Sequence, residues 1–102
     1  MTLEKLGILI NSTAYTRSAI QLACAAKERG KTVEIFLASQ GVRILENMIF
    51  RNLAGMGRVW VCSTSFEALE STATLPIPET CQLVSPEQLA DFIRSCDRHV
   101  VF

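Results

Sequence analysis

Surplus charge is the first thing this sequence lacks. Ten Lys and Arg balance ten Asp and Glu, so no basic excess is available to neutralise phosphates, and non-specific nucleic-acid binding is excluded as a main role. Long-range electrostatic steering goes with it. No apolar run approaches the ~20 residues of a membrane span. Leu6 to Ile10, preceded by Glu4 and Lys5, is too short for the apolar region of a secretory signal, so a cytoplasmic setting is expected. Histidine occurs once, at 99, and the cysteines at 24, 62, 81 and 96 form no CxxC. A structural zinc site needs about four clustered Cys or His ligands, so no metal is expected. A disulfide scaffold is unexpected too, given the apolar content and the setting. Glycines at phosphate-loop spacing are absent, which weakens any nucleotide site, and no cofactor is expected. The acidic residues are scattered, with no pair suited to acid–base hydrolysis.

What is present fits one domain over residues 1–102, with about half the residues apolar. A neutral, rather apolar surface at this size raises the expectation of self-association.

Along the chain, strand and helix patterns alternate. Leu6 to Ile10 reads as a strand covered on both faces. Asn11, Ser12 and Thr13 break it with helix-capping residues. Ala14 to Arg29 is helical, with Tyr15, Ala19, Leu22 and Ala26 on one face, and Gly30 is placed to close it as the C′ residue. Thr32 to Leu37 is a second strand, β-branched and aromatic. After a turn at Ala38 to Gly41, Val42, Leu45, Ile49, Leu53 and Met56 fall at helical spacing. Ile44, Met48 and Phe50 lie outside that stripe, so this helix is either covered on two faces or deeply packed.

Gly55 and Gly57 end the helix, and Arg58 to Cys62 forms a third strand. Ser63 to Leu69 starts a short helix; Leu75 to Pro78 is irregular because of its prolines. Gln82 to Val84 is a short strand. Ser85 to Gln88 has the form of a capped helix start with Pro86 at the first helical position. Leu89, Phe92, Ile93 and Cys96 mark that helix's buried face, and His99 to Phe102 supplies a terminal strand. Such alternation predicts a three-layer α/β/α fold with a mostly parallel sheet, because parallel neighbours need long return connections. Ligand sites in these sheets lie beyond the carboxyl ends of the strands, where three loops should meet: Asn11 to Arg17, Ser39 to Val42 and Cys62 to Glu67.

Cys62 ends the third strand at that rim. Thr64 and Glu67 have capping-box spacing, which predicts a helix starting just past the thiol. The N–H groups and dipole at such a helix start stabilise an anion, and the thiolate is the reactive form. Arg17 adds positive charge if the loops converge. The alternative stays open that Cys62 is a small buried apolar residue, as free cysteines commonly are. Around it, Thr13, Tyr15, Arg17, Gly41, Ser63 and Thr64 are the candidate binding residues, although capping explains the hydroxyls more simply. Cys96 is expected in the core and Cys81 in a structural role. Cys24 is expected to be exposed or in a subunit contact, and His99 an ordinary surface residue.

The chain resembles the DsrE/DsrF-like family, which includes sulfur-relay subunits of the TusBCD type. The resemblance rests on the strand and loop from Leu6 to Tyr15, the Ala-rich helix ending in Gly30, and Val33 to Leu37 leading to Gly41 and Val42. It continues through Val59 to Cys62 and the terminal Pro86-to-Ala90 stretch ending at Phe102. It implies a five-stranded parallel sheet between helices and cytoplasmic sulfur handling. It also implies assembly as a trimer or hexamer, or with related subunits. In sulfur-carrying members a cysteine at this strand end takes up sulfur as a persulfide from a donor protein and passes it to an acceptor protein; Cys62 is the matching position. The Ser-Thr-Ser after Cys62 departs from the Gly- or Cys-containing turn of many relatives, and no second cysteine follows closely. Relatives lacking the cysteine serve only in assembly, so an inert module of the same fold is the alternative.

Overall fold

The computed structural model describes residues 4–46, 55, 57–68 and 80–102. Five strands, β1 (Lys5–Ile10), β2 (Thr32–Leu37), β3 (Arg58–Cys62), β4 (Cys81–Val84) and β5 (Arg98–Val101), form one sheet in the order β4-β3-β2-β1-β5. Every neighbouring pair is parallel. The connections carry α1 (Thr16–Glu28), a 3₁₀ segment (Ser39–Glu46), α2 (Ser63–Ala68) and α3 (Gln88–Ser95). The expected five-stranded parallel α/β architecture is therefore the one found. None of the described helices is long and apolar enough to cross a membrane.

Strand alternation divides the core into two clusters. Ile8, Ile10, Val33, Ile35, Leu37, Val59 and Val61 face Ala19, Ala23 and Ala26 of α1, with Val42 and Ile44 of the 3₁₀ segment beside them. Alanines on the facing side let α1 lie close to the sheet without voids. Phe36, Cys62, Val84 and Phe92 form the opposite cluster, with Leu9, Ala38, Trp60, Leu89 and Cys96 packed against it. Phe92 anchors α3 there, its ring centroid 5.4 Å from that of Phe36 and 6.3 Å from that of Trp60.

Gly30 adopts φ +77°. Its N–H donates to the Lys27 carbonyl and the Lys31 N–H to the Ala26 carbonyl, each at 3.0 Å. These are the two hydrogen bonds of a Schellman ending, which needs a residue tolerant of positive φ.

Three expectations are corrected. Tyr15 is 60% exposed rather than on the buried face; it precedes the first helical residue, with φ −119° and ψ 31°, so helical spacing does not reach it. Ile93, expected inside, is 38% exposed while Phe92 beside it is fully buried, because the eight-residue α3 presents a narrow stripe. Over the described residues Ser39–Glu46 the chain winds as a 3₁₀ segment, where a turn to Gly41 and the start of a helix from Val42 were expected. At about 120° per residue instead of about 100°, Ile44 swings toward the side of Val42, and both are buried. Ile49, Leu53 and Met56, with Met48 and Phe50, lie outside the described residues, as do Leu69 and Leu75 to Pro78.

At α3, the Gln88 side-chain oxygen accepts from the Ser85 N–H at 2.9 Å, one half of the expected capping box. The Ser85 hydroxyl turns instead to the Glu87 carboxylate at 3.3 Å.

Candidate functional site

Cys62 is the last residue of β3, and α2 begins at Ser63 with nothing between them. The helix thus starts two residues earlier than the Thr64–Glu67 spacing predicts, which would make Ser65 its first residue. Thr64 lies inside its first turn and cannot cap it. With six residues in α2, little aligned dipole stands behind the thiol. Cys62 is 6% exposed and packs among Phe36, Val84 and Phe92. Its parity follows Trp60, so it faces the α3 layer, whereas Val59 and Val61 face α1.

Two of the three expected loops close over this end of the sheet. The parallel register sets Leu37 beside Val61, so Ala38, one residue on, flanks Cys62 on the same face and packs against the same cluster. Ala38 donates its N–H to the Ile10 carbonyl at 3.1 Å. Ser39 follows with φ +54°, a left-handed conformation uncommon outside glycine, and its N–H donates to the Ser65 hydroxyl at 2.8 Å. Gly41 is buried, and a Cβ there would collide with the Ile10 carbonyl oxygen. Its role is close backbone approach between the first and second loops.

Between these loops lies a shallow cleft of about 240 Å³ lined by Ser39, Gln40, Thr64, Ser65 and Ala68. The Gln40 side-chain oxygen accepts from Arg43 Nε at 2.7 Å, which orients the amide. Thr64 is the one candidate binding residue that lines this cleft. Ser63, half-buried, and Gly41, buried, stand next to it in sequence. Thr13, Tyr15 and Arg17 are exposed and do not line it; the Thr13 carbonyl accepts from the Thr16 hydroxyl at 3.0 Å, a local turn contact. Ser39, Gln40, Ser65 and Ala68 were not singled out individually from the sequence, although the first three fall within the expected strand-end loops Ser39 to Val42 and Cys62 to Glu67. A second cleft, about 180 Å³ among Glu4, Lys5, Leu6, Lys31 and Arg98, lies at the amino ends of β1 and β5. In open parallel sheets ligands bind at the carboxyl ends, so the strand-end cleft is the stronger candidate.

The other thiols are half-buried. Burial pushes the Cys96 thiol up, against the lowering effect of the Ser95 hydroxyl; their heavy atoms are 3.9 Å apart. Burial likewise raises Cys81, offset in part by a hydrogen bond with the Thr80 side chain. His99 is exposed on β5. Among the described residues no three of His, Cys, Asp and Glu gather as a metal-ligand set. Glu34, which sequence reasoning passed over, is 5% exposed and has Lys5 Nζ 3.1 Å from its carboxylate.

Residues 4–102 match the family described as DsrE/DsrF-like. Among solved structures, that of the ychN protein from E. coli superposes with a TM-score of 0.76 at 18% identity, covering 99% of this chain and 100% of that one. That likeness establishes the fold. No curated protein sequence matches. With the family matched over nearly its whole length and the five-stranded parallel sheet in place, the chain belongs to the DsrE/DsrF-like family, which is associated with sulfur relay.

Proposed function

We propose that this chain is a sulfur carrier in which Cys62 accepts sulfane sulfur from a donor protein and passes it to an acceptor protein. The observation that carries the reading is the placement of Cys62 as the final residue of β3, at the carboxyl end of the sheet and flush against α2. This is the end at which open parallel sheets present their chemistry. The family supports the sulfur assignment. In the loading step the Cys62 thiolate attacks the terminal sulfur of a donor persulfide. The donor S–S bond breaks, a Cys62 S–S bond forms, and the donor leaves as a thiolate that takes a proton from water. No net oxidation occurs. Delivery is the same exchange in the other direction, with the acceptor thiolate attacking the outer sulfur. The chain acts as one domain in the cytoplasm, within a trimer, a hexamer or a complex with related subunits.

A specific observation favours a second reading. Cys62 is 6% exposed and packed among aromatic and aliphatic side chains, as expected of an inert cysteine in an assembly module. Alkylation of the native protein by iodoacetamide across pH, read by peptide mass spectrometry, separates the two. A carrier modifies at Cys62 with a rate that rises with thiolate fraction. A native protein in which Cys24, Cys81 or Cys96 reacts while Cys62 stays unmodified supports the assembly module instead.

A further inference from the structure

β5 is an edge strand whose neighbour in the sheet is β1 alone. All of its residues are exposed, Val100 at 36% and Val101 at 55%. α1 packs chiefly on β1 and β2, and α3 on β1, away from this edge. Sheet edges are commonly blunted by proline, lysine, inward-pointing charge or a bulge. His99-Val100-Val101 contains no proline and no lysine, and its register against β1 runs unbroken from Leu6↔Arg98 to Leu9↔Val101.

The backbone of this edge is self-complementary. Along a parallel strand, alternate residues turn both their N–H and their C=O to the same side. Phe102 turns to β1: its N–H donates to the Leu9 carbonyl at 2.8 Å, and its carbonyl accepts from the Asn11 N–H at 2.7 Å. Val100 and Arg98 share its parity, so His99 and Val101 turn their groups outward, away from the sheet. An antiparallel second copy centred on Val100 meets all of these groups at once. His99 of each copy then lies opposite Val101 of the other, and each such pair exchanges two hydrogen bonds.

The side chains suit the same register. Val100, whose neighbour Ile8 belongs to the α1-side core, meets Val100 of the second copy. Arg98 meets Phe102 of the second copy on that same face, guanidinium against ring. No like charges stand opposite each other. Centring on His99 would instead set two imidazoles together. It would also place Asp97, whose N–H already donates to the Lys5 carbonyl at 2.9 Å, opposite Val101. Centring on Val101 leaves His99 without a partner inside β5.

We infer that β5 pairs edge to edge, antiparallel, with β5 of a second copy of this chain around a two-fold axis at Val100, joining two five-stranded sheets into one. The inference deepens the assembly part of the reading above and is independent of whether Cys62 carries sulfur. A two-fold contact is isologous; a dimer or a hexamer satisfies it and a bare trimer does not. A contact of this length is small beside a standard interface, so micromolar association is expected where it acts alone.

Sedimentation velocity of the full chain over a range of concentrations tests the pairing, with the folding of each variant checked by far-UV circular dichroism. The wild-type protein should sediment with an even number of chains. Val101→Pro removes an outward N–H and puts its ring in the gap, with no loss of hydrogen bonding inside the sheet. It should weaken association by about ten- to a hundredfold, one N–H being lost on each side of the axis. Val100→Lys sets two ammonium groups face to face on the axis and should weaken it as well. Val100→Cys brings the introduced thiols to a non-hydrogen-bonded pair with Cα atoms about 4.5 Å apart, within disulfide reach. Diamide oxidation should then join two copies through position 100, identified by peptide mass spectrometry. A wild-type protein that is monomeric up to about 0.5 mM, or that holds an odd number of chains, overturns the pairing and leaves the edge to a different partner. Association that folded Val101→Pro and Val100→Lys both retain unchanged overturns it too, as does a Val100→Cys protein whose introduced thiols do not join. If Val101→Pro fails to fold, Val100→Lys and the cross-link decide. Sulfur loading at Cys62 is scored separately, and pairing without loading upholds this interface and defeats the carrier reading alone.

Discussion

Replacing Phe92 with alanine removes the one side chain through which α3 is fully buried. The ring is 0% exposed and makes tilted and edge-on contacts with Phe36 and Trp60 at centroid distances of 5.4 and 6.3 Å. Truncating a buried Phe costs about 3–5 kcal/mol, the lost transfer energy plus the cavity left behind. The other apolar residues that α3 and its C-terminal cap pack against this cluster are half-buried Leu89 and Cys96, which cannot close a gap of that size, so a value in the upper half of that range is expected. Against a total stability of about 5–15 kcal/mol, this is a large fraction. Trp60 is the sole tryptophan and lies against Phe92, so urea unfolding followed by its fluorescence reports on this cluster directly. Phe92→Leu, which fills most of the volume, should lose about 1 kcal/mol. The Cys62 thiol shares the cluster and should become more open to alkylation in Phe92→Ala. A Phe92→Ala protein within about 0.5 kcal/mol of wild type would refute the assignment of α3 as the cover of this face.

Three further outcomes follow from other parts of the molecule. Gly30→Ala, at φ +77°, should lose about 1 kcal/mol in thermal or urea unfolding, although nothing crowds a Cβ there; an unchanged midpoint would show that the Schellman ending is not strained by a side chain. Lys5→Met leaves the Glu34 carboxylate buried without its cation and should cost roughly 1–3 kcal/mol at neutral pH, reduced from the fully buried case because Lys5 is partly exposed. The double variant Lys5→Met/Glu34→Gln should recover most of that loss. Finally, burial raises the folded-state pKa of Cys81 and Cys96 above the ordinary thiol value of 9.0. The unfolded chain then gives up these protons first, so the contribution is intact below that value and lost as pH rises through the folded pKa. Urea midpoints should fall more steeply between pH 8 and 10 in wild type than in Cys81→Ala/Cys96→Ala.

The sheet was legible because its strands are short apolar runs separated by helical patterns, and a parallel sheet covered on both faces demands such runs. β2 and β3 were placed with their bounds correct and β1 and β4 nearly so, while Gly30 was identified as a helix terminator. The same continuity concealed which face each residue takes. Arg58 to Cys62 offers no apolar–polar alternation over Val59 to Cys62, so nothing in the sequence says that Cys62 faces α3 with Trp60 instead of α1 with Val61. The 3₁₀ segment was illegible for a tertiary reason: Gly41 must approach the Ile10 carbonyl, and Ser39 is held at positive φ by Ser65. Thr64 and Glu67 carry a genuine capping pattern, overridden because β3 feeds the helix directly. The cleft residues Ser39, Gln40, Ser65 and Ala68 belong to no motif, and only the chain's return brings them together.

The central claim is that Cys62 carries sulfur, and mass spectrometry of the intact and digested protein after incubation with a persulfide donor tests it most directly. The wild-type Cys62 peptide should gain one sulfur atom that dithiothreitol removes, and Cys62→Ser should gain none at that peptide while remaining folded. A wild-type protein whose Cys62 peptide stays unchanged, with sulfur found only on Cys24, Cys81 or Cys96, would contradict it.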